Sequence, residues 1–207
     1  MMSGYEAIAL AGETAVRCLK TAFEADPPLR APVAPFPPRK VQVLQVSPRE
    51  LEDIANGDQN TLTLLLYRID VNRAMRAGFA AVRGGDGKFA LALDLFYLLT
   101  AWSKSAFDEQ LMLGRAMQAL AEASPLSGAS TIGTIGAGRP EVDIEPLSMI
   151  IDELSNEAMM RIFDAFPVKY RLSVPYIGRL ARICVSDVGG RLPVVRGDIT
   201  LSEGASP

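Results

Sequence analysis

The sequence predicts an α+β fold, with a mainly antiparallel sheet flanked by helices. Strand-like and helix-like segments follow one another without the regular βαβ rhythm of a parallel sheet. In the strongest strand, Phe89–Thr100, every second residue is large and apolar, and the opposite face is also partly apolar. We therefore expect one face of the sheet in the core, and the other covered by a helix or another subunit. Hydrophobic residues make up 49% of the 207 residues, which excludes a largely disordered chain.

Helices and strands can be assigned in order along the chain. The apolar spacing predicts four helices, at Tyr5–Phe23, Ser47–Ala55, Phe107–Ala123 and Ser148–Phe163. It predicts strands at Lys40–Val46, Thr61–Asp70, Phe89–Thr100, Val142–Leu147 and Arg191–Leu201, and a bent strand or strand pair at Val168–Val185. In the third helix we expect a core-facing stripe of Phe107, Leu111, Leu113, Met117 and Leu120, with Asp108, Glu109, Arg115 and Gln118 elsewhere.

The segments group into one core with flanking parts. We predict an N-terminal helix at 1–25, a proline-rich arm at 26–39, a core domain at 40–186 and a C-terminal tail at 187–207. Within the core, the Gly/Ser/Thr-rich stretch 125–140 is predicted to be a mobile loop. The prolines from Pro27 to Pro38 predict an extended arm, which is either a passive linker or a grip on a neighbouring molecule.

Composition argues against several classes of function. The 21 basic and 24 acidic residues form no basic stripe, so nucleic acid is a poor candidate partner. The chain has no histidine, and Cys18 and Cys184 lie far apart, so neither a metal site nor a cofactor site is expected. Isolated thiols favour a reducing compartment over a disulfide. The N-terminus has no signal-peptide pattern, and the apolar stretch Phe89–Trp102 is too short to span a bilayer. We expect a protein that is made in the cytoplasm and makes no membrane contact.

Three groups of residues could suggest catalysis or ligand binding, and none does so strongly. The glycines of Gly133–Gly138 lack the Lys-Ser/Thr of a phosphate-binding loop, so a surface loop is the preferred interpretation. Asp152, Glu153 and Glu157 could form an acid/base set on the last predicted helix, but such carboxylates usually face solvent. Ser173 has no histidine to activate it. No catalytic residue is predicted.

Asp94 is an unusual charge in an otherwise apolar strand. A buried carboxylate needs a partner, and Arg68 on the preceding strand is a candidate; a place at the sheet edge or facing solvent is the alternative. We interpret Tyr67, Tyr97 and Trp102 as core or interface packing rather than as a ligand cage.

Four runs of the sequence resemble the motifs of one protein family. Leu64–Asn72, with Ala74 and Arg76 after it, is similar to that family's LYRVEPN-alR strand and turn, and Leu93–Trp102 is similar to its LDLHYLLTAW strand, with Phe96 in place of the usual histidine. Leu113–Met117 resembles its LLGRAM signature, and Tyr170–Tyr176 resembles its YRLSVAY strand, from which Pro175 departs. The family that these runs resemble is the cap or tail-terminator proteins of extracellular contractile injection systems of the virulence-cassette and antifeeding-prophage type, and the likeness spans roughly residues 5 to 186.

The resemblance implies a structural protein related to phage tail terminators. Such a protein would form a homo-hexameric ring that stacks on the last hexamer of the inner tube, halts its growth, and meets the last ring of the sheath protein. Another ring component, such as a tube initiator or baseplate adaptor, is the first alternative. A small-molecule enzyme that uses Gly133–Gly138 is the second.

Overall fold

The structure is a computed structural model that describes residues 6–29, 39–72, 90–127, 132–134, 141–143 and 146–184. Its elements in chain order are α1 (Glu6–Ala25), β1 (Gln42–Val46), α2 (Glu50–Asn56), β2 (Thr61–Val71), β3 (Ala90–Trp102), α3 (Ala106–Ala123), β4 (Ile132–Thr134), β5 (Glu141–Asp143), β6 (Leu147–Ile151), α4 (Asn156–Asp164) and β7 (Ser173–Cys184). The predicted strand Arg191–Leu201 lies outside the described residues.

A mixed five-stranded sheet forms the middle of the fold, in the order β1-β2-β3-β7-β6. β1 runs parallel to β2, and the other three pairings are antiparallel. β4 and β5 pair separately as a two-stranded antiparallel sheet. The α+β class with a mainly antiparallel sheet is therefore confirmed. The long strands β2 and β3 are neighbours in the interior of this sheet.

One side of the sheet, here called the first face, packs against α1 and α3. Odd-numbered side chains of β3 point to this face, and Leu95, Tyr97 and Leu99 are fully buried there. Leu10 and Leu19 of α1 and Met112 and Leu120 of α3 are also fully buried, and they complete the same cluster. The interior of this layer is almost wholly aliphatic, so apolar burial supplies its main driving force.

The other side of the sheet, the second face, is covered by α2 and α4. Leu98 and Trp102 of β3 pack here with Leu51 of α2 and with Met159 and Phe163 of α4. The prediction that the opposite face of the strongest strand is also covered is thus confirmed, and the cover consists of two helices of the same chain. The fold has three layers, with the sheet between two layers of helices.

The predicted helix Ser148–Phe163 is wrong in its first half. Residues Leu147–Ile151 form β6, and the helix starts only at Asn156, where the hydroxyl of Ser155 accepts a hydrogen bond from the N–H of Ala158. A short apolar run fits either a strand or a helix. The neighbouring strand β7 decides here, because it offers β6 a ladder from Tyr176 to Leu180.

β7 is one continuous strand despite Pro175. The C=O of Pro175 accepts a hydrogen bond from the N–H of Asp152 (2.9 Å), so the backbone groups of Pro175 face β6 rather than β3. Because proline has no N–H, the only hydrogen bond it removes is one toward Asp152, just beyond the end of β6. The ladder with β3 needs no N–H at this position and continues through the pair Leu98–Pro175. The strand-pair alternative for 168–185 is wrong because β7 runs unbroken from Ser173 to Cys184, and the predicted start is also wrong because Val168–Leu172 is not a strand.

Candidate interaction surfaces

The three carboxylates that the sequence suggested as an acid/base set do not act together. Glu153 precedes α4 and is exposed, so Glu153 and Glu157 do not share a helix face. Glu157 forms an exposed ion pair with Arg161 one turn further along α4 (Oε1 to Nη2, 2.6 Å). Such a pair is a common feature of solvated helices. The arrangement gives no reason to assign acid/base chemistry.

Ser173 is held in a structural network at the start of β7. Its hydroxyl lies 2.7 Å from the hydroxyl of Thr100 on β3 and donates to the C=O of Arg171 (3.0 Å). No base that could activate it takes part in this network. Within the described ranges, no group of three or more Cys, Asp or Glu side chains could hold a metal ion. Of the predicted glycine loop, 135–138 lies outside the described residues, and Gly133 and Thr134 belong to β4.

Asp94 has partners other than the predicted Arg68. Its carboxylate accepts a hydrogen bond from the side-chain amide of Asn72 (3.0 Å) and lies 3.7 Å from the guanidinium of Arg179 on β7. Arg68 instead pairs with Asp70 (3.2 Å), and its guanidinium lies over the ring of Phe96, 3.6 Å from the centroid. The predicted Arg68–Asp94 pair is therefore wrong. A bulge in β2 between Leu66 and Arg68 changes which side chains lie opposite each other.

The three aromatic residues that were assigned to packing do pack. Trp102 is buried on the second face, where its indole N–H donates to the hydroxyl of Thr63 (2.8 Å). Tyr97 is fully buried on the first face, and its hydroxyl has no hydrogen-bond partner among the described residues. Burial raises the pKa of Tyr97 and also that of Tyr67, which the carboxylate of Asp152 raises further. Tyr67 is partly buried against the cluster on the second face, and its ring lies beside that of Phe96 (centroids 6.2 Å apart).

The exposed side of α3 differs from the sequence prediction. Phe107 and Leu111, one turn apart, were expected to face the core, but their side chains are 68% and 39% exposed. A Cβ atom at Gly114, on the next turn, would meet no heavy atom within 4 Å. Asp108, which was expected away from the core, is buried. α3 thus presents an apolar strip to its surroundings, an arrangement more typical of contact surfaces than of an isolated helix.

A long-range ion pair explains why Asp108 is buried. The guanidinium of Arg39 binds both carboxylate oxygens of Asp108, at 2.6 and 2.8 Å. The N–H of Arg39 also donates to the C=O of Leu29 (3.0 Å), and the side chain of Leu29 is fully buried. We call these contacts the Arg39 clasp. The clasp joins the two ends of segment 30–38, most of the predicted proline-rich arm, and anchors them at the start of α3; the segment itself lies outside the described residues.

Of the two cysteines, the structure describes the side chain of Cys18. The thiol of Cys18 is free, and burial raises its pKa, although the guanidinium of Arg115 lowers it in part. The side chain of Cys184 lies outside the described part of the chain. No described helix is long and apolar enough to cross a membrane.

The described part of the chain is an α+β domain with an exposed apolar strip on α3, the Arg39 clasp and a mixed sheet that ends in β1 and β6. Comparison with known proteins gives the family. The model of the Pvc16 N-terminal domain matches residues 17–196, so this chain belongs to the Pvc16 N-terminal domain family. No curated protein matches it significantly.

Two solved structures are similar to this chain at low sequence identity. One is the sheath/tube terminator, in the extended state, of the extracellular contractile injection system PVC, with 18% identity, a TM-score of 0.48, and coverage of 92% of this chain and 64% of the other. The second is the tube-terminating cap of the anti-feeding prophage, with 19% identity, a TM-score of 0.43, and coverage of 69% and 50%. This chain therefore spans less than two thirds of the length of either relative.

Proposed function

We propose that this protein is the tail terminator, or cap, of a contractile phage-tail-like injection particle. The observation that carries the proposal is the family match, which covers residues 17–196 and therefore most of the chain. The four runs that resemble terminator proteins fall inside or overlap β2, β3, α3 and β7, so they belong to the folded part of the domain rather than to its ends.

In this role the protein forms a homo-hexameric ring that ends the inner tube and contacts the last ring of the sheath protein. It assembles in the cytoplasm and then remains part of the particle. A tube end exposes strand edges and loops that invite further subunits, and a ring that matches this end on one face stops growth through its shape. The role needs no bond to be made or broken, so the protein is not an enzyme and needs no cofactor, nucleic acid or membrane.

Two segments are proposed as contacts with tube, sheath or an adjacent copy: Pro27–Pro38 and Ser127–Pro140. The Arg39 clasp supports this for the first segment, because it fixes where the segment leaves and rejoins the domain. A loop with fixed ends loses less conformational entropy on binding than a free tail does.

Electron microscopy of particles produced without this protein tests the proposal. We expect inner tubes of uncontrolled length, and restoration of one uniform length when the protein is supplied again. Absent tubes would contradict the proposal and indicate an initiator or a baseplate adaptor. Tubes of normal length would contradict any role in assembling the tube.

The ring can be tested separately on purified protein bound to tubes. Six copies of the 22.3 kDa chain weigh about 134 kDa. Mass photometry of material released from capped tubes should give this mass, and image averages of the cap should show six-fold symmetry. A different stoichiometry would contradict the hexamer but not the capping role.

A further inference from the structure

The sheet ends in β1 on one side, and the outer side of β1 carries unpaired backbone groups. The N–H of Gln42 donates to the C=O of Asn60 (2.9 Å), so the backbone groups of Gln42 point toward β2. Because the direction alternates along a strand, those of Val41, Val43 and Gln45 point away from β2. No described residue pairs with them on that side. A cleft of about 350 Å³ lies beside this edge, lined by α1 side chains and by Val41 and Val43.

β6 ends the sheet on the other side; Leu126 pairs with its first residue, Leu147, and the outer edge beyond that pair has no described partner. Leu147 exchanges two backbone hydrogen bonds with Leu126, at 2.8 and 3.0 Å, so its backbone groups face away from β7. By the same alternation, the backbone groups of Met149 and Ile151 face outward, and no described residue bonds to them there. The side chains of Ile150 and Ile151 are 41% and 51% exposed. An exposed, apolar edge strand favours pairing with another strand.

The charges beside the two edges are opposite. Lys40 lies two residues before β1, and Lys20 lines the cleft beside it together with Arg39 and Glu24, so the net charge there is positive; both lysine side chains are exposed. Asp152 and Glu153 immediately follow β6. In an antiparallel pair, the start of one strand lies opposite the end of the other, so these lysines would face these carboxylates. A parallel pair would place the lysines at the other end of β6.

We propose that β1 of one copy of this chain pairs antiparallel with β6 of a second copy, with Val43 opposite Ile151 and Gln45 opposite Met149. This register uses the outward backbone groups of both edges. It places Val43 beside Ile151 on the first face and Leu44 beside Ile150 on the second face. The two edges differ, so the contact is heterologous and can repeat from copy to copy until a ring closes. The proposal deepens the ring of the proposed function, and it can be tested without tubes.

Proline at position 151 tests the pairing directly. The N–H of Ile151 points outward, so Ile151→Pro leaves the ladder with β7 intact and removes one donor from the free edge. Ile151→Thr, which keeps the N–H, is the matched control. By light scattering, the parent should grow from 22.3 kDa to multiples of that mass as its concentration rises toward about 1 mM. The threonine variant should do the same, and the proline variant should remain a monomer with an unchanged circular dichroism spectrum.

Hydrogen exchange and charge reversal identify the surface. In the associated parent, the amides of Val43, Gln45, Met149 and Ile151 should become protected from hydrogen exchange, whereas those of Leu44 and Ile150 should be protected at every concentration.

Lys40→Glu and Asp152→Lys should each weaken association about tenfold, and the double variant should recover most of the loss. The proposal is wrong if the parent remains a monomer, if Ile151→Pro associates like the parent, or if the four amides exchange rapidly in the associated form. Capping of tubes in any of these cases would leave the proposed function standing.

Discussion

The carboxylate of Asp108 joins two distant parts of the chain at the start of α3. It is buried, accepts two hydrogen bonds from Arg39, and belongs to the first turn of a helix whose cap, Ser105, accepts a bond from the N–H of Asp108 itself. This burial could not be predicted, because Arg39 lies 69 residues away along the chain and each residue alone resembles a surface charge.

Removing Asp108 should therefore destabilise the domain. We expect Asp108→Ala to lower the free energy of unfolding by about 1–3 kcal/mol, because Arg39 then loses both acceptors and the first turn of α3 loses a favourable negative charge. Asp70→Ala, which removes a half-exposed partner of Arg68, is the matched control and should cost less than about 1 kcal/mol. Urea unfolding of both variants measures the difference. Equal losses would show that the Arg39 clasp contributes no more than a surface pair.

Two buried tyrosines should make the domain sensitive to alkaline pH. Burial raises the pKa of Tyr176 to about 12 and raises that of Tyr97 as well, above the value of about 10 in an unfolded chain. The unfolded state then loses these protons first. Stability is fully present below pH ~10 and is lost as the pH rises through the folded pKa values, by up to about 1.4 kcal/mol per pH unit for each group.

Urea unfolding between pH 9 and 11.5 checks this expectation. Tyr176→Phe should reduce the slope of stability against pH above pH ~10, because phenylalanine has no proton to lose. Tyr97→Phe should do the same, and at pH 7 it should keep or slightly raise the stability, since it removes a buried hydroxyl without a described partner. Parent-like slopes in both variants would mean that other groups cause the alkaline loss.

At the scale of elements, β7 makes a close contact with its neighbours on the first face at Gly178. A Cβ atom at Gly178 would lie 3.0 Å from Cε2 of Tyr97 and 3.3 Å from side-chain atoms of both Leu147 and Met149. These neighbours are themselves buried, so they have little room to move. The absence of a side chain at this position lets the ring of Tyr97 lie against the backbone of β7.

Gly178→Ala should thus lower the free energy of unfolding by about 1–3 kcal/mol through overpacking. Gly114→Ala is the matched control: it makes the same chemical change in an open position on α3, and there the higher helix propensity of alanine should raise stability by up to about 1 kcal/mol. Thermal unfolding of the two variants gives the sign of each change. A stable Gly178→Ala variant would show that the ring of Tyr97 can shift.

Most elements could be predicted because their apolar periodicity is strong. The bounds of β2, β3 and α1 agree with the predicted strands Thr61–Asp70 and Phe89–Thr100 and the predicted helix Tyr5–Phe23 to within about two residues at each end. The errors fall where a distant partner decides the outcome. β6 forms because β7 offers it an edge, and Phe107 and Leu111 are exposed because other residues of α3 reach the sheet. A local pattern contains neither of these facts.

At the scale of the whole molecule, the sequence predicts no catalytic set and indicates the family through a resemblance. The family is now shown by the match over residues 17–196. The surfaces available for contact with other molecules could not be predicted from the sequence. The open edges of β1 and β6 depend on strand order, and the closed ends of the proline-rich segment depend on a hydrogen bond between Leu29 and Arg39. Both features arise only when distant segments meet.

Because its ends are joined, segment 30–38 can be replaced without disturbing the domain. We expect a variant in which a Gly-Ser linker of equal length replaces 30–38 to keep the Arg39 clasp and to unfold within about 0.5 kcal/mol of the parent. Under the proposed function it should bind tube ends more weakly, because a flexible linker lacks both the apolar side chains and the restricted backbone of the prolines.

Arg39→Ala in the otherwise intact chain is the companion variant, since it keeps segment 30–38 and removes the ion pair that anchors the end of that segment. Cosedimentation with tubes, together with tube length by electron microscopy, measures the effect. Caps that bind with parent affinity and leave tubes of normal length after the replacement would show that the segment is a passive connection, whatever the Arg39 clasp contributes to stability.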